Sequence, residues 1–180
     1  VRRLVGSEMC IRDRYTGNLK FNRAKIQKKE KYNNKALINY LGEDKCIVFG
    51  STWERDEEII FEYISEKINK NVKYIIAPHD VSEKNISRIK SKLNNKVNLL
   101  SDYIYNAQSN ILIVNSIGVL KYLYKFSNIS YVGGGFKKKG LHNILEPCVY
   151  GNPVIFGKYF KFSNEAKALI LSLIHISEPT

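Results

Sequence analysis

The segment 133–146 holds residue types and spacings that suit the binding of an anion. Three consecutive glycines at 133–135 are followed by a run of three lysines, and then by His142, Asn143 and Glu146. Glycines allow backbone N–H groups to approach a ligand closely. A helix that starts after such a segment adds unpaired N–H groups and the positive end of its dipole. Together these features suit a phosphate, and a plain turn is the alternative interpretation.

Glu146 and His142 each allow a structural and a functional interpretation. Asn143 and Glu146 have the spacing of a capping box, in which the carboxylate only satisfies the start of a helix. At the carboxyl end of a parallel sheet, a carboxylate can instead bind the two hydroxyls of a ribose. His142 is either an ordinary loop histidine, or a group that donates to phosphate oxygens or protonates a leaving group.

Other polar residues follow the remaining predicted strands. They are Ser51, Thr52, His79, Asn115 and Ser116. Each is a candidate phosphate contact or helix cap: Ser51 with Glu54 has capping-box spacing, and Asn115 or Ser116 is placed to cap the next helix. His79 and Asp80 are adjacent, so their side chains point apart, and no third ligand is spaced to join them. We therefore predict no metal site.

The elements that must position these residues alternate between strands and helices. Apolar runs predict strands at 46–49, 72–77, 97–100, 111–114, 129–132 and 154–156, and helical spacing predicts helices at 57–68, 80–93, 117–124, 145–150 and 163–170. Fully apolar strands that alternate with helices are typical of a parallel sheet covered on both faces. We predict a doubly wound α/β fold, with ligands at the carboxyl ends of the strands.

Composition narrows the class of protein without choosing its ligand. The 180 residues are 44% hydrophobic and 26% charged, which is typical of a globular chain. Three scattered cysteines exclude a disulfide scaffold and a zinc ribbon. The net charge of +12 favours anionic partners, namely nucleic acid, lipid headgroups or phosphorylated small molecules. A solvated basic surface is the alternative, and no aromatic strand of the kind that binds RNA occurs.

The two ends do not continue the patterns beside them. Residues 1–14 and 171–180 resemble translated sequencing-adapter sequences, and we predict that both are non-native. Residues 15–44 have the composition of a linker with a lysine-rich helix at one edge of a domain, and residues 45–170 are predicted as the α/β domain; the family resemblance given below implies an interdomain crossover for the first segment and a nucleotide-sugar-binding domain for the second.

Several segments occur in the order and with the gaps of one known family. They are Gly50-Ser-Thr-Trp53, Ala77-Pro-His79, Val114-Asn-Ser-Ile-Gly-Val-Leu120, Tyr131-Val-Gly-Gly-Gly135, His142-Asn-Ile-Leu-Glu-Pro147 and Gly151-Asn-Pro-Val-Ile-Phe-Gly157. The pattern resembles the C-terminal half of the 3-deoxy-D-manno-octulosonic acid (Kdo) transferases. Tyr15–Phe21 also resembles the family's crossover from its N-terminal domain.

The resemblance implies a GT-B architecture, with two Rossmann-like domains and an active site in the cleft between them. The C-terminal domain of the family binds CMP-Kdo, which is a substrate, so neither a cofactor nor a metal is expected. The enzymes invert the anomeric centre and transfer Kdo to the lipid A precursor at the cytoplasmic face of the bacterial inner membrane. The basic charge suits both CMP-Kdo and an anionic membrane surface, and nucleic acid is not expected as a partner.

The resemblance also assigns roles to individual residues. Glu146 is expected to hold the nucleotide, on its ribose, while Gly134, Gly135, His142 and Asn143 lie at the CMP phosphate. Ser51, Thr52, His79, Asn115 and Ser116 are expected to line the same cleft. One departure is that many members carry an arginine where this chain has His79-Asp80, which puts nucleotide contacts from that loop in question.

The general base of the family is a glutamate of the N-terminal domain, so we expect no catalytic residue in this chain and no transfer by it alone. Two other functions stay open. One is a GT-B enzyme that uses a UDP-sugar, and the other is a non-catalytic Rossmann module that binds a nucleotide.

Overall fold

Six parallel strands form the sheet in the computed structural model, which describes residues 19–30, 32–102, 104–136 and 140–173. The strands are β1 (Lys45–Thr52), β2 (Val72–Pro78), β3 (Asn98–Leu99), β4 (Ile111–Ile113), β5 (Ile129–Val132) and β6 (Val154–Phe156). Their spatial order is β3-β4-β2-β1-β5-β6, and every neighbouring pair is parallel. The predicted parallel sheet is confirmed.

Helices precede, connect and follow the strands. They are α1 (Leu19–Lys29), α2 (Lys35–Leu41), α3 (Glu54–Lys67), α4 (Glu83–Lys92), α5 (Leu120–Leu123) with a 3₁₀ turn at Tyr124–Phe126, α6 (Leu145–Cys148) and α7 (Asn164–Leu173).

The sheet is covered on both faces, as its apolar strands require. Successive side chains of a strand point to opposite faces. On β2, Ile75 therefore packs with Leu37 of α2 and Leu112 of β4, among other residues of one core cluster. Its neighbour Ile76 packs into the opposite cluster, which contains Ile60 of α3. Burial on both sides makes this a doubly wound fold.

Two predicted helix starts are wrong. The helix predicted from Asp80 begins at Glu83, where the hydroxyl of Ser82 accepts the Asn85 N–H at 3.4 Å. The helix predicted near 117 begins only at Leu120, and neither Asn115 nor Ser116 caps it.

The side chain of Asn115 is engaged elsewhere. Its amide nitrogen donates to the Ser101 hydroxyl at 2.8 Å, and its oxygen accepts the Ser101 N–H at 3.2 Å. Asn115 therefore joins the loops that follow β3 and β4 instead of starting a helix. Ile117 is 84% exposed, so it lies outside the helical face that was predicted for it.

The two ends of the described chain pack against the domain. Leu37 and Leu41 of α2 are buried in the core, although they lie in the segment predicted as a linker. Helix α7 continues through Leu173, three residues beyond the predicted native boundary. Residues 1–18 and 174–180 lie outside the described residues, so the predictions of non-native ends and of a crossover over most of Tyr15–Phe21 stay predictions, while the last three residues of that segment belong to α1. Within the described ranges, no helix has the length and apolar character needed to cross a membrane.

Gly50 on β1 gives a test of this packing. A Cβ at Gly50 would overlap the phenol of Tyr124, which is 1% exposed. We expect Gly50→Ala to lower the free energy of unfolding by about 1–3 kcal/mol, as overpacking of a core does, measured by urea denaturation. Adding Tyr124→Phe should restore part of that stability, because the hydroxyl is the nearest atom. An unchanged stability in the single variant would contradict this packing.

Candidate functional site

The site lies where the winding of the sheet reverses. The chain passes from β1 outward to β2, and it later returns to the other side of β1 as β5. Ligands of open α/β sheets bind at the carboxyl ends of the strands at such a switch point. There Gly133 donates its N–H to the Gly50 carbonyl oxygen at 2.8 Å. A Cβ at Gly133 would overlap the Ser51 carbonyl, so only glycine allows the two segments to pack this closely.

Ser51 turns the end of β1 toward the following helix. Its φ of 53° lies in the left-handed region, and the pairing with β2 shifts register at this point. The predicted capping box of Ser51 with Glu54 is wrong. Helix α3 begins at Glu54, and the side chain that reaches back to the preceding residue, Trp53, is that of Asp56.

Asp56 joins the loop after β1 to the loop after β5. Its carboxylate is 1% exposed and accepts three hydrogen bonds. These come from the Trp53 N–H at 2.9 Å, the Gly134 N–H at 3.0 Å and the Tyr131 hydroxyl at 2.6 Å. Burial and the bond to Asp56 raise the pKa of Tyr131. A negative charge in the first turn of a helix is also favoured by the helix dipole.

The neighbouring carboxylate, Glu57, connects the end of β1 to α4. The Thr52 hydroxyl donates to Glu57 at 3.1 Å, and Arg88 of α4 forms an ion pair with the other carboxylate oxygen. Burial raises the pKa of Glu57, while Arg88 and Thr52 oppose that shift. Thr52 is therefore buried and engaged with the scaffold, so its predicted role toward a ligand stays a prediction.

Three rings form a stack above the strand ends. The ring centroids of Trp53 and His79 lie 4.3 Å apart, and those of His79 and His142 lie 4.7 Å apart. The indole N–H of Trp53 donates to Nε2 of His142 at 2.8 Å. Burial and the nearby His79 lower the pKa of His142, and the charge of Asp56 opposes them. The structure thus brings together His79 and His142, as the topology predicted.

Asn143 and Glu146 share a pocket of about 430 Å³ with His142. The amide of Asn143 donates to Glu146 Oε1 at 3.2 Å. The amide oxygen of Asn143 accepts the Leu145 N–H at 3.2 Å. The residue directly before α6 is Ile144 and not Asn143, so the capping box of Asn143 with Glu146 does not form. Burial raises the pKa of Glu146, whereas Asn143 and the charge of Lys121 oppose the rise.

The pocket also contains side chains from both ends of the described chain. Arg23 of α1 and Glu165 of α7 line it together with the segment 140–144. Glu165 accepts a hydrogen bond from the Ser163 hydroxyl at 3.2 Å. A second carboxylate and an arginine therefore lie near Glu146, and the sequence analysis named neither.

The expected anion site at the glycine loop is only partly present. Helix α6 is a single turn, so it offers little of the dipole that the prediction assumed. The Gly134 N–H already donates to Asp56, and Gly135 packs closely against Gly157 while its carbonyl accepts the Tyr159 N–H at 2.8 Å. These glycines position the loop, and their contact with a phosphate stays a prediction.

The remaining predicted positions lie farther from the switch point. Asn115 and Ser116 follow β4, which is separated from β1 by β2. Asp80 accepts the Ser82 N–H at 2.9 Å at the start of α4, a bond that lowers its pKa. In the part of the chain that the structure describes, no three His, Cys, Asp or Glu side chains are grouped to hold a metal ion.

Besides Arg23 and Glu165, three residues around the site were missed as functional positions: Trp53, Asp56 and Glu57. Trp53 was noticed only as part of a motif. Asp56 stands at the third helical position, where a carboxylate can bond back to the helix start, but a tryptophan before the helix hid that signal. Glu57 was assigned to the helix pattern alone.

The strand order, with its reversal on the two sides of β1, defines a Rossmann-like, doubly wound class of domain. No protein-family model matches the chain. A bifunctional glycosyltransferase/methyltransferase of Fusobacterium nucleatum is 36% identical over 156 residues, which is 79% of this chain and 23% of that protein. A 3-deoxy-D-manno-octulosonic acid transferase of Chlamydophila psittaci is 32% identical over 131 residues, which is 72% of this chain and 30% of that protein. The chain thus spans about a quarter to a third of the length of these relatives.

A solved structure has the same fold. The C-terminal CMP-Kdo binding domain of WaaA from Acinetobacter baumannii matches with a TM-score of 0.63 and 23% identity, over 84% of this chain and 78% of that domain. The predicted fold class, a Rossmann-like C-terminal domain of the GT-B type, is confirmed. Several Kdo transferases match at about 31–32% identity over most of this chain. The chain therefore belongs to the Kdo transferase family, and the predicted resemblance is confirmed.

Asp56 provides a direct test of how the site is built. We expect Asp56→Ala to lower the free energy of unfolding by about 3 kcal/mol, because it leaves buried N–H groups without an acceptor. Asp56→Asn should cost less, since the amide keeps one acceptor oxygen. Urea denaturation measures both, and Glu58→Ala, at the exposed neighbour on α3, serves as the matched control. Equal stabilities of Asp56→Ala and the control would contradict the role of Asp56.

Proposed function

We propose that this chain is the sugar-donor-binding part of a glycosyltransferase that takes Kdo from CMP-Kdo. The observation that supports it best is the pocket that joins His142, Asn143 and Glu146, in the segment that follows the glycine loop. These are three residues of the His142–Pro147 motif on which the family resemblance depends. The names of the matching transferases and of the matching domain point to the same ligand.

Within this pocket, the proposed roles follow from chemistry. Glu146 is a carboxylate whose oxygens can accept hydrogen bonds from both ribose hydroxyls. His142 and Asn143 line the same pocket and carry N–H groups that can donate to the phosphate oxygens of the sugar donor. The Gly134 N–H is committed to Asp56, so the glycine loop acts mainly by holding His142 in place, through the His142 N–H that donates to the Gly133 carbonyl at 3.2 Å.

The departure of CMP is the step that these residues would assist. Negative charge develops on the phosphate while the ketose gains oxocarbenium character. Fixed donors that already point at the developing charge stabilise it without reorganisation, and one such donor can be worth about 3 kcal/mol. The +12 charge of the chain favours an anionic sugar nucleotide in the same way.

We further propose that the acceptor is the lipid A precursor and that the reaction inverts the anomeric centre at the cytoplasmic face of the inner membrane. An inverting transfer needs a base on the face of the sugar opposite the leaving phosphate. Glu146 and Glu165 both line the nucleotide pocket, so the base is assigned to a second domain across the cleft. The excess of basic residues suits an anionic membrane surface.

Nucleotide binding tests the first proposal. We expect the 180-residue chain to bind CMP more tightly than UMP in isothermal titration calorimetry. Glu146→Gln should weaken CMP binding about tenfold, because the amide replaces one acceptor oxygen with a donor, while the melting temperature stays within a few degrees. Glu58→Gln is the matched control. Preference for UMP would favour a UDP-sugar enzyme, and an unchanged CMP affinity in Glu146→Gln would contradict the assigned role.

Transfer activity tests the second proposal, which concerns the acceptor and the base. With CMP-Kdo and lipid A precursor, we expect the isolated chain to give only background hydrolysis of the sugar nucleotide. The reason is that positioning both reactants supplies about 7–11 kcal/mol in favourable cases, and one domain holds only the nucleotide. Product analysis by mass spectrometry measures the result. Robust transfer that is lost in Glu165→Gln would place the base within this chain instead.

A further inference from the structure

Trp53 is the only tryptophan of the chain, and it contacts His142 in two ways. The two rings lie nearly parallel, with centroids 6.2 Å apart and an angle of 18° between their planes. The indole N–H also donates to Nε2 of His142 at 2.8 Å. The first contact is shared with His79, which stacks on the indole at 4.3 Å. The hydrogen bond is specific to His142.

The direction of this bond determines where His142 carries its proton. An indole nitrogen can only donate. The nitrogen that accepts from it must have a free lone pair, so Nε2 of His142 is unprotonated. A neutral imidazole has one N–H, which is then on Nδ1. A cationic imidazole has both nitrogens protonated, so it is incompatible with the bond.

The surroundings of His142 act in the same direction. A Cβ at Gly134 would lie 3.0 Å from Cδ2 of His142, so the loop backbone closely covers the ring edge next to Nε2. His79 stacks nearby, and burial and His79 lower the pKa of His142. The charge of Asp56 acts in the opposite direction, because it favours the cationic form of His142. The Asp56 carboxylate accepts hydrogen bonds from the Trp53 and Gly134 N–H groups and the Tyr131 hydroxyl, which spread its negative charge.

We propose that Trp53 is a positioning residue that holds His142 as the neutral tautomer with its proton on Nδ1. This inference rests on the proposed function for its use: His142 then meets the phosphate of the sugar donor as a neutral hydrogen-bond donor. Such a group keeps its donor over the whole physiological pH range. It also binds the released CMP dianion less tightly than a cation would, which favours product release over product retention.

Nitrogen-detected NMR of the histidine rings tests the tautomer without any ligand. In the unaltered chain at pH 7.5, we expect His142 to show a protonated Nδ1 and an unprotonated Nε2. In Trp53→Phe the aromatic ring is kept and the N–H is removed, so the proton should redistribute toward Nε2. His79→Phe is the matched control, because it alters the stack but keeps the Trp53–His142 bond. Its His142 pattern should match that of the unaltered chain.

The pH dependence of CMP affinity tests what the tautomer does. At pH 8, Trp53→Phe should bind CMP about three- to tenfold more weakly, which is the value of one hydrogen bond. As the pH falls, the variant should regain affinity relative to the unaltered chain, because its His142 can become a cation. The ratio of the two affinities at each pH cancels the titration of CMP itself.

The possible outcomes separate this inference from the proposed function. A protonated Nε2 on His142 in the unaltered chain, which requires no variant to fold, overturns the inference. So does a His142 pattern that Trp53→Phe leaves unchanged, or an affinity ratio that does not vary with pH. If the expected tautomer is found but the unaltered chain does not bind CMP, the proposed function fails while the assignment of the tautomer to Trp53 stands.

Discussion

The buried carboxylate of Asp56 is the constraint on which the candidate site depends. It accepts hydrogen bonds from both loops that meet at the switch point, one through Trp53 and one through Gly134. Removing it would leave buried N–H groups without a partner, at a cost far larger than the net value of the bonds themselves. The positions of the glycine loop, of His142 and therefore of the pocket all follow from this one group.

The site divides its residues between scaffold and ligand. The polar groups nearest the strand ends are already used: Thr52 bonds to Glu57, and the Gly134 N–H bonds to Asp56. His142, Asn143 and Glu146, which line the pocket, come later in the chain, in the segment that follows the glycine loop. The general rule that ligands bind at the carboxyl ends of strands therefore points to the loops that carry these residues, while the residues directly after β1 and β5 mostly hold those loops together.

The strands could be predicted from the sequence because each is a short apolar run, and burial of apolar side chains is a local property of the chain. The starts of helices could not. Asn115 has the right type and place for a cap, but Ser101, fourteen residues away, engages its side chain. Asp56 is separated from Tyr131 and Gly134 by 75 and 78 residues. No local pattern contains that information, so the central interaction of the site became visible only in three dimensions.

The pocket has a consequence for how the domain holds together. Arg23 precedes the first strand and Glu165 follows the last, yet both line the same cavity. Contacts between residues so far apart in the chain are among the last to form during folding, since the entropy of closing the chain must be lost first. A ligand that binds only after both ends have docked stabilises that docked state by mass action. Occupancy of the pocket would thus stabilise the docked positions of α1 and α7, so that ligand binding and the docking of these two helices are thermodynamically coupled.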